Sequence, residues 1–346
     1  MFDRAHVGAY VYDVDSGVPV EGVHVIGGFE NNPDPFAWTE EDEPVTKEQY
    51  TDANGFCWFS GRTKCGVAGC WVDEVPENYY IPLIGGKVKY SSKSLLGLWQ
   101  PENLVVTIKL QKVVHPIPLI VKEVLIGNGE ALPGFDGTNN VLKFDFFKGD
   151  WLPPHGRGEV ADFVLTSKLT RTGKWPRPVG YQHSCWITYY NIDTEISFCG
   201  EHNGIKLAST DQMLGIKIRT ADSNGYEKGI SYVEGYRQKK NRFPNEWEGE
   251  YYSSYPHEDA ANRHYEFRIR SRVDDKGELV EAYYGKIYRG FITDAGEKRG
   301  LCNIKFFYYL NPQSLDRNLE WDMKNVINPD LSVRKFRRGW EFDPQP

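Results

Sequence analysis

The stretch YEFRIRSRVDDKGELVEAYYGKIYRGF, residues 265–291, decides the fold class. It alternates with a period of two, because Tyr265, Phe267 and Ile269 share one side of an extended chain. The other side carries charged residues: Glu266, Arg268, Arg270 and Arg272. A turn signal with Gly277 follows, and the chain then returns to Phe291. The pattern predicts a β-hairpin with one buried face.

The same alternation recurs along the chain and predicts an all-β protein built from antiparallel sandwiches. No stretch of the sequence combines a sustained helical period with caps. The other predicted strands are Gly8–Val14, Val23–Gly27, Val105–Leu110, Ile117–Ile126, Val141–Phe147, Glu159–Thr170, Trp186–Tyr190, Glu195–Cys199, Leu214–Thr220, Gly229–Tyr236 and Leu301–Leu310.

Composition narrows the classes of function. The 346 residues are 40% hydrophobic and 14% aromatic, which is enough to build real cores. No apolar run approaches the ~20 residues of a membrane-spanning helix. The net charge of -7 argues against a general polyanion binder and predicts no nucleic-acid partner, although a local basic patch is compatible with it. The sequence lacks the common nucleotide, hydrolase and zinc-protease motifs, so no cofactor and no catalytic residue are predicted.

A domain boundary is predicted at His115-Pro116-Ile117-Pro118, where two prolines interrupt the β pattern. Residues 1–113 would form a small β-sandwich, and residues 114–327 a larger, jelly-roll-like antiparallel sandwich. Residues 328–346 would form a separate tail that is both basic and aromatic.

Two sequence motifs make the small domain similar to a known domain family. The turn segment Ser16-Gly17-Val18-Pro19 separates two strands, and Thr51-Asp52-Ala53-Asn54-Gly55-Phe56 leads into a third. With the closing strand Val105–Leu110, they resemble the carboxypeptidase regulatory-like domain, a transthyretin-like sandwich of the immunoglobulin-like kind. The resemblance covers about residues 7–112 and is interrupted by an insertion, Asn31–Tyr50. It implies a structural or accessory module.

The larger region also resembles known sequences. Its motifs are Gly149-Asp150-Trp151-Leu152-Pro153-Pro154-His155-Gly156-Arg157-Gly158, Ala161-Asp162-Phe163-Val164 and Asp316-Arg317-Asn318-Leu319-Glu320-Trp321-Asp322. They are similar to a pattern in uncharacterised secreted proteins of the Verrucomicrobia and their relatives, which implies an exported bacterial protein. No apolar secretory segment follows Met1, so this expectation assumes that a signal peptide has been removed. The expected location is secreted, periplasmic or at the cell surface.

Six cysteines allow two or three disulfides in an oxidising compartment. If residues 186–190 and 195–199 form a hairpin centred on Ile192, Cys185 faces Cys199 at a separation that a disulfide can bridge. The competing interpretation of the same hairpin end is a zinc site of His183, Cys185, Cys199 and His202, although this spacing matches no common zinc pattern.

A second disulfide is predicted between Cys65 and Cys70. They lie in a loop of small residues, where the bond is sterically easy. Cys57 is the competing partner for either thiol.

Residues 242–257 form the most site-like stretch, a long aromatic segment between predicted strands. Aromatic rings beside polar groups suit a sugar face or a peptide chain. The candidate binding residues are Phe243, Trp247, Tyr251, Tyr252 and Tyr255. The competing interpretation is a segment that covers the sandwich and buries its own rings.

The tail 328–346 follows the last strong strand signal and carries rings whose burial would each contribute ~1.5–3 kcal/mol. It either folds back on its own domain or docks on a neighbouring copy. The candidate assembly residues are Arg334, Phe336, Trp340 and Phe342.

These patterns favour an exported bacterial surface protein without catalytic activity, which acts as a structural or adhesion module and self-associates through its tail. The first alternative is a carbohydrate-binding protein that uses the aromatic segment. The second is a polysaccharide or peptide hydrolase, since a β scaffold with two carboxylates suffices for glycoside hydrolysis. The expected partners are other copies of the chain or a glycan or protein ligand.

Overall fold

The computed structural model divides into two compact units, one ending at His115 and the other starting at Pro116. The model describes residues 4–30, 45–80, 85–94, 96–126, 140–176, 186–208, 218–239, 248–253, 264–295 and 302–326. The regular secondary structure in these described segments consists of β-strands, which confirms the all-β prediction. None of the segments contains a helix long and apolar enough to cross a membrane.

The first unit is a sandwich of two sheets. Its strands are β1 (Arg4–Asp13), β2 (His24–Phe29), β3 (Val45–Tyr50), β4 (Phe56–Arg62), β5 (Val67–Glu74), β6 (Gly86–Lys89), β7 (Ser92–Lys93), β8 (Trp99–Gln100) and β9 (Leu104–Leu110). One sheet has the order β4-β1-β9 and the other β3-β2-β5-β6, while β7 and β8 form a short ribbon. β1 is antiparallel to β4 and parallel to β9.

Alternation along β1 decides which side of its sheet is buried. Val7, Ala9 and Val11 are fully buried and pack with residues of the facing sheet such as Val25. The even-numbered residues of β1 therefore point to the outer face. The core is tight, since a Cβ on Gly27 would lie 2.4 Å from the Phe59 ring.

The second unit is a larger sandwich. Its strands are β10 (Ile117–Ile126), β11 (Asn140–Asp145), β12 (Asp150–Trp151), β13 (Phe163–Pro176), β14 (Trp186–Phe198), β15 (Gly204–Leu207), β16 (Gly229–Lys239), β17 (Glu248–Ser253), β18 (Tyr265–Val273), β19 (Leu279–Ala295), β20 (Cys302–Leu310) and β21 (Trp321–Val326). The two six-stranded sheets have the orders β15-β18-β19-β20-β10-β21 and β12-β11-β13-β14-β16-β17. The predicted hairpin of residues 265–291 is β18 and β19, which pair antiparallel.

Aromatic side chains fill the core between these two sheets. Phe146, directly after β11, stacks on Phe267 of β18 in the opposite sheet at 4.2 Å between ring centroids. Such ring pairs contribute about 0.5–1.5 kcal/mol beyond the burial of their area. The other fully buried rings of this core are Phe144, Phe163, Phe198, Phe291, Phe306 and Tyr308.

The predicted hairpin centred on Ile192 is wrong. β14 runs without a turn from Trp186 to Phe198 and pairs along its length with β13. Its ends are therefore about 40 Å apart at ~3.3 Å per residue. Asn191 and Asp193, on either side of the predicted centre, are paired with positions 170 and 168 of β13. Long-range pairing with β13 therefore replaces the predicted local hairpin.

Candidate functional site

Four aromatic side chains meet on the outer face of the sheet β4-β1-β9. Tyr10 and Tyr12 lie two residues apart on β1, and Phe56 and Trp58 lie two residues apart on β4. The register places Tyr10 opposite Phe56, and Gly8 opposite Trp58. We call Tyr10, Tyr12, Phe56 and Trp58 the aromatic platform.

The rings of the platform form a continuous band. The centroid distances are 5.6 Å from Tyr12 to Tyr10, 4.7 Å from Tyr10 to Phe56 and 6.4 Å from Phe56 to Trp58. Successive planes are inclined by 22°, 28° and 4°, so the rings share a similar orientation. Trp58 is 42% exposed, and the other three rings are half-buried. The band therefore offers apolar surface to solvent.

Gly8 lets the indole of Trp58 lie against the sheet. A Cβ on Gly8 would stand 2.9 Å from two indole carbons, closer than side-chain atoms approach one another. The sequence supplies glycine at the one position of β1 that faces Trp58. Any larger residue there would lift the indole away from the sheet.

Polar and basic side chains border the platform. Thr107 and Lys109 of β9 lie beside Tyr10 and Tyr12 in the register. At the other end Arg4 is opposite Arg62, and the Ser60 hydroxyl is 2.7 Å from Nδ1 of His6. Among the outward-facing residues of these three strands, the permanently charged ones are all basic: Arg4, Arg62 and Lys109.

The opposite face of the same sandwich carries a comparable tryptophan. Trp71 lies on the outer face of the sheet β3-β2-β5-β6 and is 37% exposed. It covers Gly28 as Trp58 covers Gly8, since a Cβ on Gly28 would lie 2.6 Å from the indole. Trp71 is therefore a matched control for Trp58.

The second unit holds a buried ionic cluster between its sheets. Nε and Nη2 of Arg270 donate to the two carboxylate oxygens of Asp162 at 2.8 and 3.0 Å, and Nη2 also donates to Oδ1 of Asp145 at 2.7 Å. Burial alone would raise the pKa of Asp145, but backbone N–H donors and the Arg270 charge lower it. Arg270 joins β18 to the opposite sheet, which is a structural role.

Lys286 is the second buried ionisable group of this unit. Its Nζ donates to the backbone oxygens of Ile218 at 3.0 Å and Leu319 at 2.7 Å, and lies 5.1 Å from the ring centroid of Tyr309. Burial lowers the pKa of Lys286 to about 7, although the nearby charge of Glu320 raises it. The lysine anchors two irregular segments, which contain Ile218 and Leu319, to the outer face of β19.

A shallow cavity of about 550 Å³ on β13, β14 and β16 bears on the hydrolase alternative. It is lined by two carboxylates of β14, Asp193 and Glu195, with Lys168 paired opposite Asp193. Both carboxylates are exposed to solvent. A glycosidase general acid is typically enclosed by apolar side chains, so this cavity does not have the environment of a catalytic pair.

The structure corrects the predicted cysteine sites. Cys199 is a free thiol just after the end of β14, while position 185 immediately precedes its start, so the hairpin geometry that joined Cys185 to Cys199 does not exist. The zinc alternative of His183, Cys185, Cys199 and His202 depended on the same hairpin and fails with it. His183 and Cys185 themselves lie outside the described residues. Among the described residues, no group of three or more potential ligands could hold a metal ion.

The Cys65–Cys70 disulfide is also wrong, since both are free thiols in the structure. Cys70 lies within β5 and points into the core, where its Sγ is 3.8 Å from the backbone oxygen of Gly8. Cys65 precedes the strand and donates to the backbone oxygen of Glu30 at 3.0 Å. The two sulfurs therefore contact different backbone oxygens, and the strand that begins at Val67 carries Cys70 away from Cys65.

The predicted aromatic segment lies largely outside the described residues, including Phe243, Trp247 and Tyr255. The remainder is not a loop, because residues 248–253 form β17 at the edge of a six-stranded sheet. The register places Tyr251 and Tyr252 opposite residues 236 and 235 of β16. The candidate assembly residues Arg334, Phe336, Trp340 and Phe342 also lie outside the described residues.

No protein-family model matches this chain, and no curated protein sequence is significantly similar to it.

Comparison of structures returns pilins at low similarity. A streptococcal ancillary pilin aligns with 14% identity over 54% of this chain and 58% of its own length, at a TM-score of 0.24. The major pilin SpaD of Corynebacterium diphtheriae aligns with 11% identity over 92% of this chain and 83% of its own length, at a TM-score of 0.24. BcpA, the major pilin subunit of Bacillus cereus, aligns with 12% identity over 94% of this chain and 97% of its own length, at a TM-score of 0.23. This chain therefore spans under two thirds of the streptococcal protein, and TM-scores at this level do not establish a common topology.

Proposed function

We propose that the protein is an exported bacterial surface protein without catalytic activity, and that its first unit adheres to a partner through the aromatic platform. The observation that supports this proposal is the band formed by the stacked rings of Tyr10, Tyr12, Phe56 and Trp58 on an outer sheet face. The export and surface location follow from the resemblance to secreted bacterial proteins.

The energetics favour a recognition role for the platform. Full burial of a large apolar side chain contributes ~1.5–3 kcal/mol, so clustering partly exposed rings on one face forgoes that stabilisation in the free protein. Clustered exposed apolar groups with polar residues around them are typical of interaction sites. Single exposed rings would need no such explanation.

The accessory role that the resemblance to the carboxypeptidase regulatory-like domain implies fits the same proposal. Under this proposal the first unit carries the binding surface, and the larger sandwich has a structural role. Self-association through the tail at residues 328–346 stays a separate prediction, because it involves other residues.

Trp58→Ala is expected to weaken adhesion at least about tenfold. Loss of ~1.5 kcal/mol of ring burial against the partner corresponds to a tenfold change in affinity. Beads coated with the full chain can be tested for retention on bacterial cell-wall and extracellular-matrix preparations under flow.

Trp71→Ala is the matched control and should change retention less than about twofold, since that indole lies on the opposite sheet. Both variants remove partly exposed rings, so similar melting temperatures are expected. Equal losses in the two variants, or no loss in Trp58→Ala on a surface that retains the parent chain, would contradict the platform as the adhesive surface.

A further inference from the structure

We propose that the ligand of the platform is a neutral polysaccharide, a polymer of uncharged pyranose rings, and that an extended segment of it lies across Trp58, Phe56 and Tyr10. This inference rests on the proposed adhesive function and adds the chemical class of the partner.

The dimensions of the platform argue for a slender ligand. The sheet that carries it is about 10 Å wide, from two strand spacings of ~4.8 Å, and its rings span about 13 Å along β1, from four residues at ~3.3 Å. Each partner in a stable protein–protein complex typically buries about 800 Å². The platform alone offers far less than that area, whereas one polysaccharide chain can cover it.

The middle of this sheet face is uncharged. Its positions are, row by row across the sheet, Trp58, Gly8 and Val105, then Phe56, Tyr10 and Thr107. Val105 is 39% exposed and extends the apolar surface onto β9. A ligand that covers these positions meets rings, an aliphatic group and hydroxyls, none of which can pair with an ionic group. Because burial of an unpaired charge is costly, this surface favours an uncharged ligand.

The chemistry of the rings suits the face of a sugar. A pyranose has an apolar C–H face that stacks on aromatic rings, and its hydroxyls point outward from the ring edge. The planes of Phe56 and Trp58 differ by only 4°, so a ligand with a flat face can contact both in one orientation. The surface is a band and not a pocket, which fits the middle of a polymer better than a single sugar.

The polar groups among the rings also match a sugar. Within the described part of the chain, the hydroxyls of Tyr10 and Thr107 and the indole N–H of Trp58 form no hydrogen bond with another protein group. Sugar hydroxyls both donate and accept hydrogen bonds, so they can pair with all three of these groups. A purely apolar partner, such as a lipid tail, would cover them without a hydrogen bond, which is costly.

The test measures binding of the full chain to polysaccharides that differ in charge. Hydroxyethylcellulose, glucomannan, laminarin and dextran are the neutral probes, and polygalacturonate is the acidic comparison. All are immobilised for biolayer interferometry at two salt concentrations. We expect at least one neutral probe to bind about tenfold or more tightly than polygalacturonate, with an affinity that changes less than about twofold with salt, because no ion pair forms.

Three variants test whether binding uses the platform. Trp58→Ala should weaken binding to the neutral probe at least about tenfold, and Trp71→Ala should leave it within about twofold. Gly8→Ala retains every ring but places a methyl group 2.9 Å from two indole carbons, so it should displace the indole and weaken binding more than Trp71→Ala does. Melting temperatures check that each variant is folded.

Three outcomes would overturn the inference. The first is binding to a neutral probe that Trp58→Ala leaves unchanged, which would place the sugar site elsewhere. The second is self-association of the chain that Trp58→Ala abolishes, which would make a second copy the partner. The third is Trp58-dependent adhesion of the beads with no binding to any neutral probe, which would leave the adhesive function standing and reject this ligand class.

Chemical treatment of the surface that retains the beads separates a glycan from a protein partner. Periodate, which oxidises the vicinal diols of sugars, should abolish the Trp58-dependent retention, whereas protease should leave it. The reverse result would make the partner a protein.

Discussion

Replacing Arg270 with alanine is expected to lower the free energy of unfolding of the second unit by about 3–5 kcal/mol. Arg270 is the shared cation of two carboxylates, Asp145 and Asp162, whose side chains are 2% and 1% exposed. Without it, both charges remain buried and face one another. The guanidinium also lies 4.5 Å from the ring centroid of Phe147, a contact that alanine cannot make.

Arg272→Ala is the control for this prediction. Arg272 lies on the same strand and forms an ion pair with Glu281, but its side chain is 74% exposed, so its loss should cost less than about 1 kcal/mol. Urea denaturation of the full chain, with hydrogen–deuterium exchange of peptides from β11 and β18, reports the stability of this unit. If both variants lose the same amount, the ion-pair cluster does not hold the two sheets together.

Arg270 also shows where alternation fails as a predictor. The period of two placed it on the solvent side with Arg268 and Arg272. In the structure its φ is 51°, and the pairing of β18 with β19 is irregular between Ile269 and Arg272. This bulge turns the guanidinium toward Asp145 and Asp162, which are more than a hundred residues away in sequence. A single sequence offers no signal for such a partner.

Many strands and one local hairpin were predictable from the sequence, whereas long-range strand pairing was not. The hairpin at residues 265–291 succeeded because its turn and its alternation agree with each other. The hairpin centred on Ile192 failed because residues 163–176, the partner of β14, supplied pairing that the local sequence does not reveal. The Cys185–Cys199 disulfide and the zinc site failed for the same reason, since both depended on this hairpin. The Cys65–Cys70 disulfide failed because the predicted loop is strand from Val67 onward.

Part of the aromatic platform could have been predicted from the sequence. Tyr10 and Tyr12 alternate with buried Ala9 and Val11, so two rings on the solvent side of one strand could have been noticed. The register that brings Phe56 beside Tyr10 connects residues 46 positions apart. The sequence therefore predicts exposed rings, whereas their assembly into a band requires the structure.

The second unit is expected to become more stable as the pH rises from 7 to 8.5, because of Lys286. Its pKa is about 7 in the folded chain and near 10.5 in an unfolded one. Between these values the unfolded chain binds a proton that the folded chain does not, so unfolding becomes less favourable as the pH rises. The full shift corresponds to roughly 5 kcal/mol, and the slope approaches about 1.4 kcal/mol per pH unit.

The upper limit of the pH range for this measurement is set by other buried groups that titrate at higher pH. Burial raises the pKa of the Cys57 thiol to about 11 and that of Cys70 to about 12, from 9.0. Burial also raises the pKa of Tyr90 to about 12. These acids lose their protons earlier in the unfolded chain, so they make the first unit less stable as the pH rises above about 8.5. In the second unit, burial raises the pKa of the Cys199 thiol, which opposes the effect of Lys286 in the same way. The measurement is therefore confined to pH 7–8.5.

Lys286→Met should remove this slope while retaining most of the volume of the side chain. The unpaired backbone oxygens of Ile218 and Leu319 would add a cost that does not depend on pH. Lys276→Met removes an exposed amine from the turn between β18 and β19, and controls for the loss of one positive charge. Unfolding free energies from urea titrations at pH 7.0, 7.75 and 8.5 should rise by about 1.6 kcal/mol in the parent chain and in Lys276→Met. An equal rise in Lys286→Met would show that the buried amine keeps its proton through this range, held by Glu320 and the two carbonyls.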